Sequence, residues 1–270
     1  MMPIHRPIPL HLYNSAGGWE AVPTRVISES SVSLTVNGEI WLSFMCTPTD
    51  LEALAVGFLF NEGIIQSMAE VAAVSTCENG SNVDVWLQRT VQKPAPWQRT
   101  SGCTGGVTSI SSKQALPAIL PDEQIKPELL LGAMDQLLKV QDLYREVRGV
   151  HCSAVSDGQQ IRYRAEDIGR HNTLDKLAGL MLMNPIPMER KIILTTGRIS
   201  SEMLQKSSRL GASVVVSRTS PTSLSVELAE EAGITLIGYA RRNQFLVYSH
   251  PERLSTGRLI QKAVLTALHV

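Results

Sequence analysis

The chain contains 270 residues, of which 43% are hydrophobic and 19% are charged, an ordinary balance for a globular protein. The 25 basic and 25 acidic side chains cancel, so the charge indicates neither nucleic acid nor an anionic membrane as a partner. A chain of this length can bury a full core without disulfide or metal staples.

Four cysteines are scattered through the sequence, and no two of them form a CxxC motif. This spacing argues against a disulfide framework and predicts a reducing compartment, the cytoplasm. The first 20 residues lack the apolar segment of a secretory signal, and the apolar run at residues 54–60 is far too short to span a bilayer.

The N-terminal part of the chain is predicted to be rich in β-strands. Two runs that alternate apolar and polar residues, 32–36 and 40–44, flank an Asn-Gly pair, which is the strongest short-range signal for a hairpin. A second hairpin is predicted from residues 71–77 and 83–87.

A helix is predicted to follow the first hairpin. Thr47 has a side chain suited to a helix cap, Pro48 suits the first helical position, and Asp50 completes a capping-box pattern. The helix is expected to run to about Asn61 and to end at Gly63.

Residues 93–126 show no helical or strand period and contain several prolines and a centre rich in Gly, Ser and Thr. We interpret this segment as a connection between two domains, residues 1–112 and residues 113–270, that also carries chemistry. Pro127 is predicted to open a helix whose apolar positions continue at helical spacing as far as Val147.

The last third of the chain alternates strands with helices, which predicts an α/β layer with parallel strand pairs. Ser220 is expected to cap one of these helices, with Pro221 at its first position and Gly233 at its end. The predicted strands cover residues 191–195, 213–216, 235–239 and 245–248, and a further helix covers residues 199–210.

Cys103 lies among three glycines and several hydroxyl residues in the least regular part of the sequence. The loop around it is expected to be exposed, with backbone N–H groups that can point at an anion. A reactive thiolate needs exposure and positive surroundings, and Arg99 and Lys113 could supply that charge. A glycine-rich linker with an incidental cysteine explains the composition equally well.

The other cysteines are interpreted as structural. Cys46 and Cys77 lie at strand ends in apolar surroundings, and we expect both to be buried. His151 and Cys152 are adjacent on a predicted strand, so their side chains point to opposite faces, which favours a core cysteine beside one functional histidine. The zinc-deaminase signature is absent from the sequence, and no metal site is predicted.

Residues 166–172 combine two acids, Gly169, Arg170 and His171 at the start of an amphipathic helix. The N–H groups of a helix start bind phosphates or carboxylates, and Arg170 adds a fork of donors. The stretch predicts an anion site, and the simpler alternative is a well-capped helix with a solvated first turn.

Arginines follow three consecutive predicted strands. Arg198, Arg218 and the pair Arg241-Arg242 each lie beside hydroxyl or amide residues just after a strand. Ligands bind at the carboxyl ends of the strands in α/β sheets. The pattern predicts a polyanionic ligand with an aromatic or purine part, and the alternative is a set of ordinary polar loops.

Taken together, these stretches resemble the formate dehydrogenase accessory sulfurtransferase family, FdhD. The resemblance extends from about residue 22 to residue 254, and the order and spacing of the matching stretches make it specific. The stretches are residues 61–65, the Cys103 loop, residues 149–154, residues 166–172, the pair Asp175-Lys176 and residues 239–253.

The resemblance implies a cytidine-deaminase-like α/β domain with a smaller β-rich N-terminal domain, assembled as a homodimer. It implies a sulfurtransferase that receives sulfur from a cysteine desulfurase as a persulfide on Cys103. The sulfur passes to the bis(molybdopterin guanine dinucleotide) form of a molybdenum or tungsten cofactor, with GDP as an analogue, for a formate dehydrogenase. Its cofactor-binding stretch corresponds to Tyr239, Ala240, Arg241, Arg242, Asn243 and Gln244, beside which we place Arg198, Arg218, Arg170, His171 and His151.

One departure concerns the Cys103 loop, since many members of that family carry CxxC there and this chain has a single cysteine. A single cysteine suffices for a persulfide relay. The missing second cysteine slightly favours an alternative, a chaperone that binds and delivers the cofactor without sulfur chemistry. A nucleotide-binding oxidoreductase is disfavoured because no G-x-G-x-x-G follows a strand.

Overall fold

Two larger β-sheets, one in each half of the chain, organise the computed structural model, which describes residues 2–94, 98–99, 107–108 and 124–255. No helix within these ranges is long and apolar enough to cross a bilayer. Residues 109–123 lie outside the described ranges, so the domain boundary at residues 112 and 113 stays a prediction.

The chain begins with a two-stranded antiparallel ribbon, β1 (His5–Asn14) and β2 (Gly18–Ile27). The sequence does not predict these strands, because prolines interrupt their pattern and a proline donates no ladder hydrogen bond. Both strands are sheet edges, where prolines are tolerated. The carboxylate of Glu146 holds the base of the ribbon, 2.9 Å from Nε2 of His5 and 3.1 Å from Nη1 of Arg25.

The N-terminal sheet contains four strands: β3 (Ser30–Val36), β4 (Glu39–Cys46), β5 (Val71–Thr76) and β6 (Asn82–Leu87). Their order is β4-β3-β6-β5, with antiparallel pairs outside and the parallel pair β3-β6 in the centre. Both predicted hairpins are therefore confirmed. The first turns at Asn37 and Gly38, whose φ angles of 49° and 84° suit a two-residue hairpin turn.

Helix α1 (Leu51–Asn61) ends where the sequence predicts, but its predicted start is wrong. Thr47 does not cap the helix. Its backbone N–H donates to Oδ2 of Asp167 at 3.1 Å, and its hydroxyl accepts from the N–H of Ile168 at 3.2 Å. A partner 120 residues away along the chain has overridden the local capping pattern. Asp50 occupies the cap position, with a φ of 49° and no capping hydrogen bond from its side chain.

Along the chain, the described part of the segment that connects the two sheets contains two strands and two helices. The strands are the short antiparallel pair β7 (Gln98–Arg99) and β8 (Val107–Thr108), and the helices are α2 (Pro127–Lys139) and α3 (Asp142–Val147). The helix predicted to continue from Pro127 to Val147 is therefore interrupted. The carboxylate of Glu166 accepts hydrogen bonds from the N–H groups of Leu143 and Tyr144, each at 3.0 Å. Glu166 thus provides the hydrogen-bond acceptors that the first backbone N–H groups of a second helix need, which makes the break after α2 possible.

The C-terminal sheet has six strands in the order β10-β9-β11-β12-β13-β14. The central strands β11, β12 and β13 are mutually parallel and the outer pairs are antiparallel, which confirms the predicted α/β class. The strands are β9 (His151–Ser156), β10 (Ile161–Asp167), β11 (Ile192–Thr195), β12 (Val214–Ser217), β13 (Thr235–Arg241) and β14 (Gln244–Val247).

Helices cover both faces of this sheet. Helix α2 packs on one face, against Val214 and Val216, and three further helices pack on the other face, against Val215. Alternate residues of one strand thus enter two cores. The three helices are α4 (Arg170–Met183), α5 (Ser201–Arg209) and α6 (Ser223–Ala232), and short 3-10 turns occupy Met68–Glu70 and Pro251–Arg253.

The predicted cap of α6 is wrong by two residues. Thr222, not Ser220, caps the helix and forms a reciprocal capping box with Ser225. The carbonyl of Ser220 instead accepts from the N–H of Ile199, which ties this loop to the loop after β11. Gly233 ends the helix as predicted, with a φ of 69°.

The two halves of the molecule meet where α1 crosses α4. Gly57 of α1 faces the carbonyl oxygen of Asp175, and Gly179 of α4 faces the carbonyl oxygen of Ala53. A Cβ atom on either glycine would overlap backbone atoms of the opposite helix. The helices can therefore approach this closely only because both positions lack a side chain.

We expect Gly57→Ala to destabilise the fold by about 1–3 kcal/mol or more, because the methyl group must push the two backbones apart. The shift corresponds to roughly 2–4 °C in melting temperature for each kcal/mol in a chain of this size. Thermal and denaturant unfolding measure the change.

Gly132→Ala is the matched control, since Gly132 lies inside α2 and a Cβ there meets nothing within 4 Å. This variant should gain roughly 0.4–1 kcal/mol from the loss of unfolded-state entropy. Equal melting temperatures for the two variants would contradict the assigned role of the Gly57 contact.

Candidate functional site

The predicted binding residues meet along one edge of the six-stranded sheet. Strands β10 and β11 are both antiparallel to β9, so β10, β11, β12 and β13 all end at this edge, and β9 begins there. The edge carries His151 at the start of β9, Arg170 and His171 after β10, Arg198 after β11, Arg218 after β12 and Arg241 and Arg242 at the end of β13.

A cavity of about 430 Å³ opens at one end of this edge, between α2 and the loops after β12 and β13. One wall is apolar and is formed by Leu131, Met134 and Leu138 of α2. The wall formed by the carboxyl ends of β12 and β13 contains three arginines, Arg218, Arg241 and Arg242. Ala240 and Asn243 of the predicted stretch and Asp135 of α2 complete the lining. Tyr239 and Gln244 flank the four predicted residues that line the cavity.

The backbone before the arginine pair is held in an unusual conformation. Tyr239 has a φ of 52°, which is uncommon for a residue with a bulky side chain. Its N–H donates to the carbonyl of Thr219 at 3.0 Å, and the register of β13 with β14 shifts between Gly238 and Arg241. This bulge turns Arg241 and Arg242 toward the loop that carries Arg218.

A second cluster lies farther along the edge and contains His151, Arg170, His171 and Arg198. The side chain of Arg170 packs directly on Gly197, where a Cβ would lie 2.9 Å from Cβ of Arg170 and 3.5 Å from Nδ1 of His151. Only a glycine leaves room for this stack. The cluster therefore brings together four of the predicted residues, from the starts of α4 and β9 and from the loop after β11.

The histidines of this cluster are electrically neutral at neutral pH. Burial lowers the pKa of His171 well below its usual value, and the neighbouring cations Lys206, Arg170 and Arg198 lower it further. Burial also lowers the pKa of His151, with a contribution from Arg170. Nε2 of His171 lies 3.4 Å from Oγ of Ser200. The permanent positive charge of the cluster thus comes from its arginines.

Two buried ion pairs support the cluster from below. Nζ of Lys176 lies 2.8 Å from Oδ2 of Asp167, and both side chains are 0% exposed. Lys176 also donates to the carbonyl oxygen of Thr47 at 3.1 Å. Nζ of Lys206 contacts both carboxylate oxygens of Asp175 at 2.7 and 2.5 Å. These charges are paired with protein groups, so their role is structural.

The two acids of the predicted anion stretch are both bonded to other groups of the protein. Glu166 caps α3, and Asp167 accepts from Lys176, from the N–H of Gly169 at 2.8 Å and from Nδ2 of Asn172 at 2.8 Å. The residues of the predicted stretch therefore have two roles. Arg170 and His171 face the cluster, whereas Glu166 and Asp167 stabilise the fold.

Several known proteins that are similar to this chain share one description. The model of the FdhD/NarQ family matches residues 27–255. The sulfur carrier protein FdhD of Bacillus subtilis is 35% identical over 239 residues, which cover 86% of this chain and 91% of that protein. The protein of the same name from Staphylococcus haemolyticus is 32% identical over 84% of this chain and 89% of its own length.

This chain belongs to the FdhD/NarQ family. A solved structure supports the membership: that of a putative formate dehydrogenase accessory protein from Desulfotalea psychrophila superposes with a TM-score of 0.80. The two are 25% identical, and the match covers 93% of this chain and all of the other.

Within this FdhD/NarQ protein, the cysteines differ in their surroundings. Cys46 and Cys152 are buried, as predicted, and burial raises the pKa of each thiol to about 12. Cys77 contradicts its prediction, since it is partly exposed in the turn after β5. Burial is the largest single effect on the pKa of Cys77 and raises it, but hydrogen bonds with Ser81, Asn82 and Gly80 together outweigh burial and lower the pKa. Cys77 follows Thr76, the last residue of β5, and therefore lies in the turn and not in the sheet.

Cys103 lies outside the described residues, between β7 and β8. The antiparallel pairing of these strands brings the two ends of the Cys103 segment together. Oγ1 of Thr108 in β8 donates to Oε2 of Glu62 at 3.2 Å. Glu62 follows α1 and belongs to the 61–65 stretch, one of those that carry the family resemblance. This stretch therefore anchors the base of the β7-β8 pair.

We expect a brief alkylation pulse at pH 8 to label Cys77 in the native protein and to leave Cys46 and Cys152 unlabelled. Thiolate is the reactive form, and the raised pKa of both buried thiols leaves little of it at that pH. Peptide mass spectrometry reads the label at each cysteine. Equal labelling of all three cysteines in the native protein would contradict this prediction. A general increase in labelling after denaturation would not.

The neutral state of His171 predicts a pH dependence of stability. In the unfolded chain His171 binds a proton below about pH 6.5, whereas the folded chain resists that proton. The unfolded state then binds more protons, so the free energy of unfolding falls as pH decreases below 6.5. His171→Gln should reduce the loss between pH 7.5 and 5.5 by about 1 kcal/mol. Denaturant unfolding at both pH values measures it.

His11→Gln, on the exposed face of the β1-β2 ribbon, is the control for this experiment. It should leave the slope of stability against pH unchanged. If His171→Gln retains the full slope of the unmodified chain, the histidine is not held neutral in the folded protein.

Proposed function

We propose that this chain is a sulfur carrier that takes sulfur from a cysteine desulfurase as a persulfide on Cys103. It then transfers the sulfur to a molybdenum or tungsten cofactor that carries two guanine dinucleotides and is destined for a formate dehydrogenase. The observation that carries the proposal is the arginine-lined cavity at the carboxyl edge of the sheet. The names of the relatives, sulfur carrier protein and formate dehydrogenase accessory protein, support it.

The cavity suits a nucleoside diphosphate, the part of the cofactor for which GDP is an analogue. Its volume of about 430 Å³ lies in the range of pockets that hold small ligands. Arg218, Arg241 and Arg242 offer forked donors that match phosphate oxygens. The apolar wall of α2 offers a surface on which a base can pack. The cofactor enters here as the substrate of sulfur transfer.

The cluster of His151, Arg170, His171 and Arg198 provides a second region for anionic groups on the same edge. A cofactor with two dinucleotides has more phosphate than one cavity of this size accommodates. We assign the remaining phosphate to this cluster, where two arginines supply positive charge and two neutral histidines supply hydrogen bonds.

The sulfur steps follow from thiol chemistry. The Cys103 thiolate attacks the outer sulfur of the donor persulfide, a new S–S bond forms on Cys103, and the donor cysteine leaves as a thiolate. In delivery this S–S bond breaks, Cys103 leaves as a thiolate, and the terminal sulfur binds the metal as sulfide. The metal supplies the two electrons that this reduction needs. We place this reaction in the cytoplasm, where thiols stay reduced, and in a homodimer.

Loss of Cys103 tests the sulfur chemistry. Cys103→Ser should acquire no mass increase of about 32 Da, one sulfur, after incubation with a cysteine desulfurase and cysteine. It should also fail to activate a formate dehydrogenase in cells. Cys77→Ser is the control, because Cys77 is the one partly exposed cysteine among the described residues. Normal dehydrogenase activation by Cys103→Ser would instead favour a chaperone without sulfur chemistry.

The double variant Arg241→Ala/Arg242→Ala tests the cofactor half of the proposal. It should weaken GDP binding at least roughly tenfold, the factor that 1.4 kcal/mol supplies, because hydrogen bonds to charged groups are worth about 1.5–3 kcal/mol each. Titration calorimetry measures the affinity, and persulfide loading should continue at the normal rate.

Arg6→Ala/Arg25→Ala removes the same charge from the β1-β2 ribbon and serves as the control. It should bind GDP with the affinity of the unmodified chain. If the Arg241/Arg242 variant also loses persulfide loading, sulfur loading and cofactor binding are not separable as proposed.

A further inference from the structure

Asp135 is the one carboxylate among the described residues that line the arginine cavity. It lies on the same face of α2 as Leu131, Met134 and Leu138, because these positions follow the three- and four-residue spacing of a helix. The apolar wall of the cavity therefore carries a single negative group, and Arg242 on the facing wall is close enough to attract it.

A carboxylate is unfavourable for a phosphate that binds in the same cavity, since the two anions repel each other. Asp135 is ionised at neutral pH, because the hydrogen bond and charge of Lys139 lower its pKa and Arg242 lowers it further. Asp135 belongs to α2, whereas the arginines that we expect to hold the phosphate lie after β12 and at the end of β13. The part of the ligand that faces Asp135 must therefore present hydrogen-bond donors.

We infer that Asp135 accepts hydrogen bonds from N1–H and the N2 amino group of a guanine base and so determines the base specificity of the site. This inference rests on the proposed function, which places a guanine nucleotide in the cavity. Guanine presents two adjacent donors that match the two oxygens of a carboxylate. Adenine presents an acceptor at N1, and xanthine presents an oxygen at position 2, so both lose the match.

The existing partner of Asp135 does not prevent this contact. Nζ of Lys139 lies 2.6 Å from Oδ2 of Asp135 in an i,i+4 pair, and the two side chains are 73% and 49% exposed. Exposed pairs of this kind contribute little to stability. One carboxylate has room for several acceptor contacts, so Lys139 can stay beside Asp135 while a base binds.

The test compares GDP, IDP, ADP and XDP by titration calorimetry on the unmodified chain and on Asp135→Asn. The unmodified chain should bind GDP most tightly and IDP, which lacks the N2 amino group, more weakly. Asp135→Asn should bind GDP at least roughly tenfold more weakly, the factor expected for one lost charged hydrogen bond. It should also bind XDP more tightly than GDP, because an amide can donate to the xanthine oxygen while it accepts from N1–H.

Two controls isolate the base contact. Glu128→Gln removes a charge from an exposed position on the same helix, two turns away, and should keep the affinity and base preference of the unmodified chain. Lys139→Met removes the ion pair but leaves the carboxylate, and it should keep the preference for GDP. Neither structural damage nor a general change of charge can reverse the preference between two bases.

The outcomes separate this inference from the function on which it rests. One outcome would overturn the role of Asp135 alone. In that outcome the unmodified chain binds GDP, but Asp135→Asn either binds GDP equally well or loses GDP binding without a new preference for XDP. Absence of GDP binding to the unmodified chain would overturn the nucleotide half of the proposed function as well.

Discussion

The close contact of α1 with α4 fixes the His151, Arg170, His171 and Arg198 cluster relative to the base of the β7-β8 pair. Gly57 and Gly179 allow the two backbones to touch, and no other residue type would fit at either position. The start of α4 carries Arg170 and His171 to the edge of the large sheet, and the end of α1 carries Glu62 to Thr108. One helix crossing therefore sets the distance between the binding edge and the base of the β7-β8 pair.

Buried charge reinforces this crossing in a way that apolar packing could not. Lys176 projects from α4 and has its ammonium group satisfied by Asp167 at the end of β10 and by the turn at Thr47. Asp175, one residue earlier, accepts from Asn61 at the end of α1 and from Lys206 of α5. A buried pair adds little net stability but is costly to break, so it disfavours alternative arrangements of the same elements. Four elements are thus fixed relative to α4.

The sequence predicts those features that depend on neighbouring residues. Both N-terminal hairpins and the parallel order of the large sheet follow from local periodicity and turns, and the arginines meet because parallel strands end at one edge. Features set by distant partners were missed. Thr47 has a side chain suited to a helix cap, but its backbone N–H bonds to Asp167 and it does not cap α1. The break after α2 depends on the carboxylate of Glu166. Asp135 is one acid on an ordinary amphipathic helix, and only the tertiary structure places it opposite arginines.

The electrostatics of the edge limit what its histidines can do. A protonated imidazole is one way to stabilise a thiolate, but burial and the neighbouring cations keep His171 neutral, so it cannot act in this way. The same cations make a positive region without it, since arginine stays charged at every physiological pH. An anion at this edge is then attracted by Arg170 and Arg198, and the neutral histidines contribute hydrogen bonds without adding charge that would have to be desolvated. The strength of anion binding at the cluster should therefore depend little on pH near neutrality, because the groups that supply its charge do not titrate there.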